Sequence, residues 1–288
     1  RSELEQALRR LLPDIFEDCD GLLKLERLSG GASQETYRIT IATPTGERLL
    51  AMRRAAGGEE GGINAQHPGL AVEAMLMQAA LAQGVPEPEV YHVLRPEDGI
   101  GAGFIMQWLE GEALGARIVK IPELDAVRPQ LARLFGATLA RIHSIDLQAS
   151  GLIEHLQHLS PEDYVRQTWE RYQEFATPQP MIDYTARWLL DHLPQSYTPS
   201  LVHNDYRNGN VMVDANGIVA VLDWEIAHIG DPMRDLGWML CHSWRFGRAH
   251  LPVGGFGAAD DFYAGYEAVS GTPVDSQAVK FWQVFGSF

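Results

Sequence analysis

The spacing of hydrophobic positions changes partway along this 288-residue chain. Up to about residue 109, short apolar runs alternate with Gly- and Pro-containing turns, a pattern typical of antiparallel strands. One helix interrupts these runs, from about Ala71 to Gln83. Beyond residue 109, apolar positions mostly recur every three or four residues, as at Leu131, Phe135 and Ile142. This spacing indicates amphipathic helices. The pattern therefore predicts a sheet-rich first part and a mainly helical second part.

A hairpin stands out within the helical part, because it lies among polar and turn-forming residues. Two short apolar strands span about residues 211–222, and Asn216-Gly217 between them is a strong turn signal. Asp205 and Asn210 precede the hairpin, and Asp223 follows it directly. Since a hairpin brings its two ends together, we expect these three side chains to converge.

An Asp, an Asn and a second Asp held together suit one chemistry well. Asn210 and Asp223 offer the hard oxygen ligands that Mg²⁺ prefers. Asp205 is then free to orient a hydroxyl group and to accept its proton. Phosphoryl transfer depends on this division of labour, because positioning and charge neutralisation supply nearly all of its catalysis.

Three further residues, two just after this stretch and one well before it, are predicted to have structural roles. The sequence Gly230-Asp231-Pro232 opens a helix, with Asp231 as its cap. Asp235, on the first turn of that helix, is expected to brace the loop around Asp205. His143, at the end of the long helix, is interpreted as structural.

A glycine-rich turn near the start of the chain is a candidate phosphate-binding loop. Gly30 and Gly31 allow the backbone to approach a phosphate closely, and successive N–H groups with the Ser33 hydroxyl can donate to it. Such a turn is also found in ordinary hairpins, so its function depends on the rest of the chain.

Three motifs together resemble those of a known family. His203-x-Asp205-x-x-x-x-Asn210 has the spacing of the kinase catalytic loop. With the sequences L-D-W-E at 222–225 and G-D-P-x-x-D-L at 230–236, it resembles the aminoglycoside phosphotransferase/choline kinase group. Within that group the chain is most similar to bacterial phosphotransferases related to the kinase-like domain of some acyl-CoA dehydrogenases. The resemblance implies an α+β, bilobal, protein-kinase-like fold with ATP bound between the lobes. The nucleotide-binding lobe would span 1–108, and the catalytic and substrate-binding lobe 109–288.

The same resemblance assigns nucleotide-binding roles to residues of the first lobe. Arg53 stands where kinases carry a Lys that holds the α- and β-phosphates, and Glu73 is its expected ion-pair partner. Arg presents a planar fork of donors and Lys a compact charge, so the contact of Arg53 with the phosphates is expected to differ from that of the usual Lys. Met106 is expected to line the adenine pocket, and the backbone from Gln107 to Leu109 to meet the adenine edge.

The composition of the chain limits which classes of partner and which cellular location are expected. A net charge of −15 argues against nucleic acid, which requires a basic face. The charge is compatible with a cationic substrate and equally with an enzyme that is acidic for solubility. Cys19 and Cys241 form no metal or disulfide pattern, and no segment has the length and apolarity of a membrane span or signal peptide. We therefore expect a cytoplasmic protein with no membrane partner.

The first and last residues of the chain lead to two further expectations. Leu4, Leu8, Leu11 and Ile15 predict an opening amphipathic helix that Pro13 interrupts. The absence of an initial Met and the apolar stretch at 281–285 suggest further residues beyond both ends.

The sequence thus predicts an ATP- and Mg²⁺-dependent phosphotransferase that moves the γ-phosphoryl group to a hydroxyl of a small molecule. The resemblance to the acyl-CoA-dehydrogenase-linked branch favours a hydroxy acid or hydroxyacyl thioester as the acceptor. The alternatives are an aminoglycoside kinase and a catalytically inactive nucleotide-binding protein. The acceptor's identity, the choice between ATP and GTP, and the oligomeric state are left open.

Overall fold

The computed structural model describes residues 2–30, 33–175 and 177–288. It divides into two compact units. The first contains Arg1–Leu81 and Glu87–Leu109, and the second contains Ala82–Pro86 and Glu110–Phe288. Within the described ranges, no helix is long and apolar enough to cross a lipid bilayer.

The first unit is built on a five-stranded antiparallel sheet with the strand order β1-β2-β3-β5-β4. Its elements are α1 (Glu3–Ile15), β1 (Gly21–Gly30), β2 (Gln34–Thr43), β3 (Gly46–Ala55), α2 (Leu70–Ala82), β4 (Val90–Val93) and β5 (Gly103–Gln107). Alternate residues of β2 point to one face, where Ile39 and Ile41 are fully buried. Leu8 and Leu12 of α1 belong to the same apolar cluster, so α1 closes one face of the sheet.

The expectation that Pro13 interrupts the opening helix is wrong. Ser2 caps the helix, its hydroxyl accepting from the Glu5 N–H, and the helix runs from Glu3 through Pro13 to Ile15. Proline lacks an N–H and so removes one intrahelical bond, but the Phe16 N–H still reaches the Leu12 carbonyl at 2.9 Å. Close to a helix end that single loss is tolerated, because burial of Leu8 and Leu12 holds the helix in place.

The second unit is mainly helical. Its elements are α3 (Gly115–Ile118), α4 (Arg128–His143), α5 (Pro161–Gln173), α6 (Pro180–Asp191), β6 (Ser200–Val202), β7 (Val211–Asp214), β8 (Gly217–Val221), β9 (His228–Gly230), α7 (Met233–Met239), α8 (Ala259–Ser270) and α9 (Ser276–Gly286). Helix α4 is the central one, with Leu131, Phe135 and Ile142 fully buried. The predicted α+β class, with a sheet-rich first part and a mainly helical second part, is confirmed.

Two glycines let α4 and α8 cross at very short range. A Cβ at Gly136 would lie 2.0 Å from the Phe262 carbonyl oxygen, and one at Gly265 would lie 2.0 Å from the Arg133 carbonyl oxygen. No side chain fits at either place, so the close packing of the two backbones requires glycine at both.

Two small antiparallel ladders position the polar residues of the second unit. Strand β7 pairs with β8 as the predicted hairpin, with Asp214 opposite Gly217 at the turn. Strand β6 pairs with β9, which lies nearly thirty residues further along the chain. The loop that contains Asp205 connects β6 to β7 and is therefore fixed at both ends.

Candidate active site

One buried carboxylate accepts hydrogen bonds from the backbone of the loop between β6 and β7. Asp235, in the first turn of α7, is fully buried and accepts the backbone N–H groups of His203 at 2.9 Å and Asn204 at 2.8 Å. Asn204 adopts a left-handed backbone with φ of 79°, a conformation that Asn tolerates better than most residues. The prediction that Asp235 braces this loop is confirmed.

The charge on Asp235 is stabilised by its surroundings. Burial by itself raises the pKa of this carboxyl, but the hydrogen bond from His143 and nearby His203 hold the pKa below its usual value. His143 Nε2 lies 2.8 Å from Asp235 Oδ2, and His143 Nδ1 lies 2.8 Å from the Tyr266 hydroxyl. His143 is therefore part of the support of the loop, as its predicted structural role requires.

His203 links the loop to the end of the hairpin. Its buried ring places Nε2 2.9 Å from the Leu222 carbonyl oxygen, and Nδ1 3.2 Å from the Asp205 N–H. Nδ1 is the acceptor in this arrangement, so Nε2 carries the proton and donates to Leu222. The backbone at Asp205 and the residue preceding Asp223 are thus connected through a single imidazole.

Asp205 and Asn210 contact each other directly. The Asn210 side-chain nitrogen donates to Asp205 Oδ2 at 2.8 Å and to the Asp205 carbonyl oxygen at 2.9 Å. Because the amide nitrogen is used in this way, the Asn210 side-chain oxygen remains available as a ligand. The Asn210 carbonyl oxygen accepts the Leu222 N–H at 2.7 Å, so the hairpin places Asn210 beside the chain segment that carries Asp223.

Asp223 has the features of a cation ligand. Its backbone is left-handed, with φ of 58°, a strained conformation that occurs most often at functional sites. Its Oδ1 atom is buried and accepts no hydrogen bond from any described residue. A carboxylate oxygen without a donor is costly to bury, and a bound cation would offset that cost. Carboxylate oxygens of Asp223 and Glu225 lie within 4.8 Å of each other. The donor set of Asn210 and Asp223 therefore fits Mg²⁺.

Two further side chains anchor the loop to neighbouring elements. Tyr206 is fully buried and donates its hydroxyl to the Phe135 carbonyl oxygen of α4 at 2.8 Å. Burial raises the pKa of Tyr206 well above its ordinary value, so the phenol stays a donor. The Asn208 amide donates to the carbonyl oxygens of Trp244 at 3.1 Å and Gly254 at 2.9 Å. The segment after α7 is thereby attached to the loop between β6 and β7.

The candidate nucleotide-binding residues of the first unit occupy the end of β1, the following turn, β3 and α2. Gly30 is the last residue of β1 and pairs with Glu35 of β2, Ser33 lies in an exposed bend, and Gly31 falls outside the described residues. On β3, the Arg53 guanidinium donates to the Gln34 side-chain oxygen. Glu73 is buried in the first turn of α2, and its ion pair with Arg53 stays a prediction.

The remaining three candidates lie at and just beyond the end of β5. Met106 is half-buried on β5 and pairs with Ala51 of β3. Gln107 accepts the Glu89 N–H on its side-chain oxygen at 3.2 Å and donates its own N–H to the Glu89 carbonyl at 2.8 Å. Leu109 follows the strand and is half-buried.

Two contacts of Asp205 were not anticipated from the sequence. Arg207 places its Nε 3.1 Å from Asp205 Oδ1, and the Trp238 indole nitrogen donates to the same oxygen at 2.9 Å. The Arg207 guanidinium also stacks on Trp244, with 4.3 Å to the ring centroid. A signal for Trp238 exists in hindsight, since it lies three residues after Asp235 on the same helix and so on the same face.

Comparisons with known proteins identify the family of the chain. Residues 24–271 match the model of the phosphotransferase enzyme family. Acyl-CoA dehydrogenase family member 10 of Mus musculus is 30% identical over 247 residues, which cover 81% of this chain and 22% of the relative. Family member 11 of Gallus gallus is 28% identical over 246 residues, covering 83% of this chain and 30% of that protein. The chain thus spans less than a third of the length of these curated relatives.

Solved structures share the fold at lower sequence identity. An aminoglycoside phosphotransferase-like protein from Ralstonia eutropha superposes with a TM-score of 0.74 and 24% identity, covering 97% of this chain and 85% of its own. Macrolide 2'-phosphotransferase MphH from Brachybacterium faecium gives a TM-score of 0.62 and 19% identity, over 99% and 89% of the two chains. The predicted kinase-like fold and enzyme class are confirmed, and the chain belongs to the phosphotransferase enzyme family.

Proposed function

We propose that this phosphotransferase transfers the γ-phosphoryl group of ATP to a hydroxyl group of a small molecule, with Asp205 as the catalytic residue. The observation that carries the proposal is the contact of Asp205 with Asn210, beside the hairpin end that holds Asp223. Asp205 orients the acceptor hydroxyl and takes its proton. Asn210 and Asp223 would hold Mg²⁺, which when bound neutralises charge on the phosphates.

In the first unit, the proposal assigns nucleotide contacts to eight residues around the end of β1, on β3, on α2, and at or just beyond the end of β5. Those residues are Gly30, Gly31, Ser33, Arg53, Glu73, Met106, Gln107 and Leu109. Arg53 supports the assignment because its neighbour Arg54 is already committed to Glu35 at 3.0 Å and to the Ile100 carbonyl at 2.8 Å. Successive residues of a strand point to opposite faces, so only one of the two arginines can serve the nucleotide side.

We infer that the acceptor is a hydroxy acid or a hydroxyacyl thioester. The similarity to two acyl-CoA dehydrogenase family members supports this class. Charge near Asp205 supports it as well. Arg207 lies 3.1 Å from the Asp205 carboxylate and is partly exposed, so its positive charge attracts an anionic acceptor.

An aminoglycoside acceptor is the alternative. Known phosphotransferases with this fold have been solved with streptomycin and ATP. Their identity to this chain is low, at 19% for that complex, so they establish only the fold. An aminoglycoside carries several positive charges and would be repelled by Arg207.

The test is a screen of hydroxylated small molecules, with ADP release as the readout. The set contains short hydroxy acids, their coenzyme A thioesters, and kanamycin and streptomycin. We expect Mg²⁺-dependent ADP release with an anionic acceptor, loss of that release in Asp205→Ala, and full release in the control Asp261→Asn, which changes an exposed acid on α8.

Two outcomes would contradict the proposal at different levels. Turnover with the aminoglycosides alone would replace the proposed acceptor class with the alternative one. If no acceptor in the screen gave Mg²⁺-dependent ADP release, the proposed activity would be wrong and the inactive nucleotide-binding alternative would take its place. The cytoplasmic location belongs to the same proposal and stays a prediction.

A further inference from the structure

From the part of the chain that the structure describes, one carboxylate oxygen of Asp205 accepts two hydrogen bonds, and the other accepts one. Oδ1 accepts from the Trp238 indole at 2.9 Å and from Arg207 Nε at 3.1 Å, whereas Oδ2 accepts only from Asn210, at 2.8 Å, among the described residues. A carboxylate oxygen has about two lone-pair sites. Oδ1 is therefore saturated, and the remaining site lies on Oδ2.

We propose that Trp238 is a positioning residue for phosphoryl transfer, and that its indole N–H fixes Asp205 so that Oδ2 faces the acceptor hydroxyl. This inference rests on the proposed function of Asp205. In the step it serves, the acceptor O–H bond breaks and its proton moves to Oδ2. The acceptor oxygen bonds to the γ-phosphorus as the bond to the β–γ bridging oxygen breaks, and that electron pair leaves with ADP.

Trp238 is rigidly held, as a positioning residue must be. It belongs to α7, whose Asp235 accepts a hydrogen bond from the backbone of the loop between β6 and β7. Its ring meets Trp244 edge-on, with 5.1 Å between centroids. The Arg234 guanidinium lies 4.7 Å from the Trp238 centroid and donates to the Asn204 side-chain oxygen at 3.0 Å. The helix therefore contacts the loop at its backbone, at Asn204 and at the Asp205 carboxylate.

The buried cation over the indole also strengthens the donor. Arg234 is 5% exposed, so little water screens its charge. A cation above the ring face draws electron density from the indole and makes its N–H a better donor. Arg207 is a weaker candidate for this role, because its side chain is 26% exposed and has more rotamers to lose. Trp238 is thus the more firmly held of the two donors to Oδ1.

The kinetic experiment compares Trp238→Phe with Trp169→Phe. Phenylalanine keeps an aromatic ring but removes the N–H. Trp169 provides a matched control, because its indole donates to the Asp183 carboxylate at 2.8 Å between α5 and α6. We expect kcat to fall about 10- to 100-fold in Trp238→Phe, as for a lost bond to a charged group, with the KM for ATP unchanged. Trp169→Phe should keep the wild-type kcat.

A second readout does not depend on turnover. In ¹⁵N-labelled protein, the Trp238 indole N–H signal is assigned from its through-space contacts with the neighbouring Trp244 ring. In the wild type it should exchange slowly with solvent, and Asp205→Ala should shift it and speed its exchange while the Trp169 signal stays in place. The Asp205 variant changes a partly exposed side chain, so this comparison holds even if Trp238→Phe folds poorly.

The outcomes separate this inference from the proposed function. An unchanged Trp238 signal in Asp205→Ala, or a wild-type kcat in Trp238→Phe, overturns the positioning role while the kinase assignment stands. A wild-type protein without Mg²⁺-dependent turnover overturns the proposed function, and the positioning role falls with it.

Discussion

Replacing Asp235 with Asn removes the charge on which the catalytic loop rests. Its carboxylate is fully buried and accepts three donors, namely the backbone N–H groups of His203 and Asn204 and the His143 ring nitrogen, at 2.8–2.9 Å. Asn presents one acceptor oxygen, and its amide nitrogen would face one of those donors. At least one bond is lost, and the others lose their charged acceptor.

The size of the effect follows from the kind of bond. Hydrogen bonds to charged groups contribute about 1.5–3 kcal/mol each, and breaking a buried ionic arrangement costs about 3–5 kcal/mol. We expect Asp235→Asn to destabilise the second unit by about 3–5 kcal/mol at pH 7. For a unit of this size that corresponds to a fall of about 6 to 20 °C in Tm.

At low pH, the difference in stability between the wild type and Asp235→Asn should disappear. The pKa of Asp235 is depressed in the folded state, so its contribution is fully present above the unfolded value of about 3.9 and is lost as pH falls through the lower folded value. Calorimetric melts of the wild type, Asp235→Asn and the surface control Asp261→Asn provide the assay. Equal melting of Asp235→Asn and wild type at pH 7 would refute the bracing role.

Three further predictions test separate parts of the account. Gly136→Ala should destabilise the second unit by at least about 2 kcal/mol, because its Cβ would lie 2.0 Å from the Phe262 carbonyl; Gly61→Ala, with open space around it, is the control in urea unfolding. Burial lowers the pKa of His228 to about 4. The wild type should therefore lose up to about 3 kcal/mol between pH 6.5 and 4, and His228→Gln should lose less; parallel curves would contradict this. Asn210→Ala should weaken Mg²⁺-dependent nucleotide binding and abolish most turnover; unchanged Mg²⁺ titrations would count against its ligand role.

Local spacing made the hairpin and its flanking acids predictable. Asn216-Gly217 specifies a tight turn, so the meeting of the two hairpin ends near Asn210 and Asp223 could be foreseen. The bulge between Met212 and Val213, which shifts the register by one residue and sets Asn210 opposite residue 222, could not. The bracing role of Asp235 was also accessible, since a first-turn acid after Gly230-Asp231-Pro232 sits close to a helix cap. These inferences depend on fewer than forty consecutive residues.

Contacts made across long sequence separations escaped prediction. Strand β9 has only three residues, too few to show alternation, and its partner β6 lies far back in the chain. The place of Trp238 three residues after Asp235 puts it on the same face of α7, but its hydrogen bond to Asp205 depends on how α7 packs against the loop, which the spacing does not show. Pro13 led to a wrong prediction of a helix break. The burial of α1 against the sheet outweighs the local effect of a proline near a helix end.

The central claim is that Asp205, Asn210 and Asp223 form one Mg²⁺-dependent phosphoryl-transfer site with divided roles. Calorimetric titration of ATP, with and without Mg²⁺, into the wild type, Asp205→Ala and Asp223→Ala tests it most directly when combined with turnover of the same samples. We predict that Asp205→Ala binds ATP with wild-type Mg²⁺ dependence but does not turn over, whereas Asp223→Ala loses the Mg²⁺ dependence itself. If both variants lost binding and turnover alike, or if Asp223→Ala kept the wild-type response to Mg²⁺, the assigned roles would be wrong.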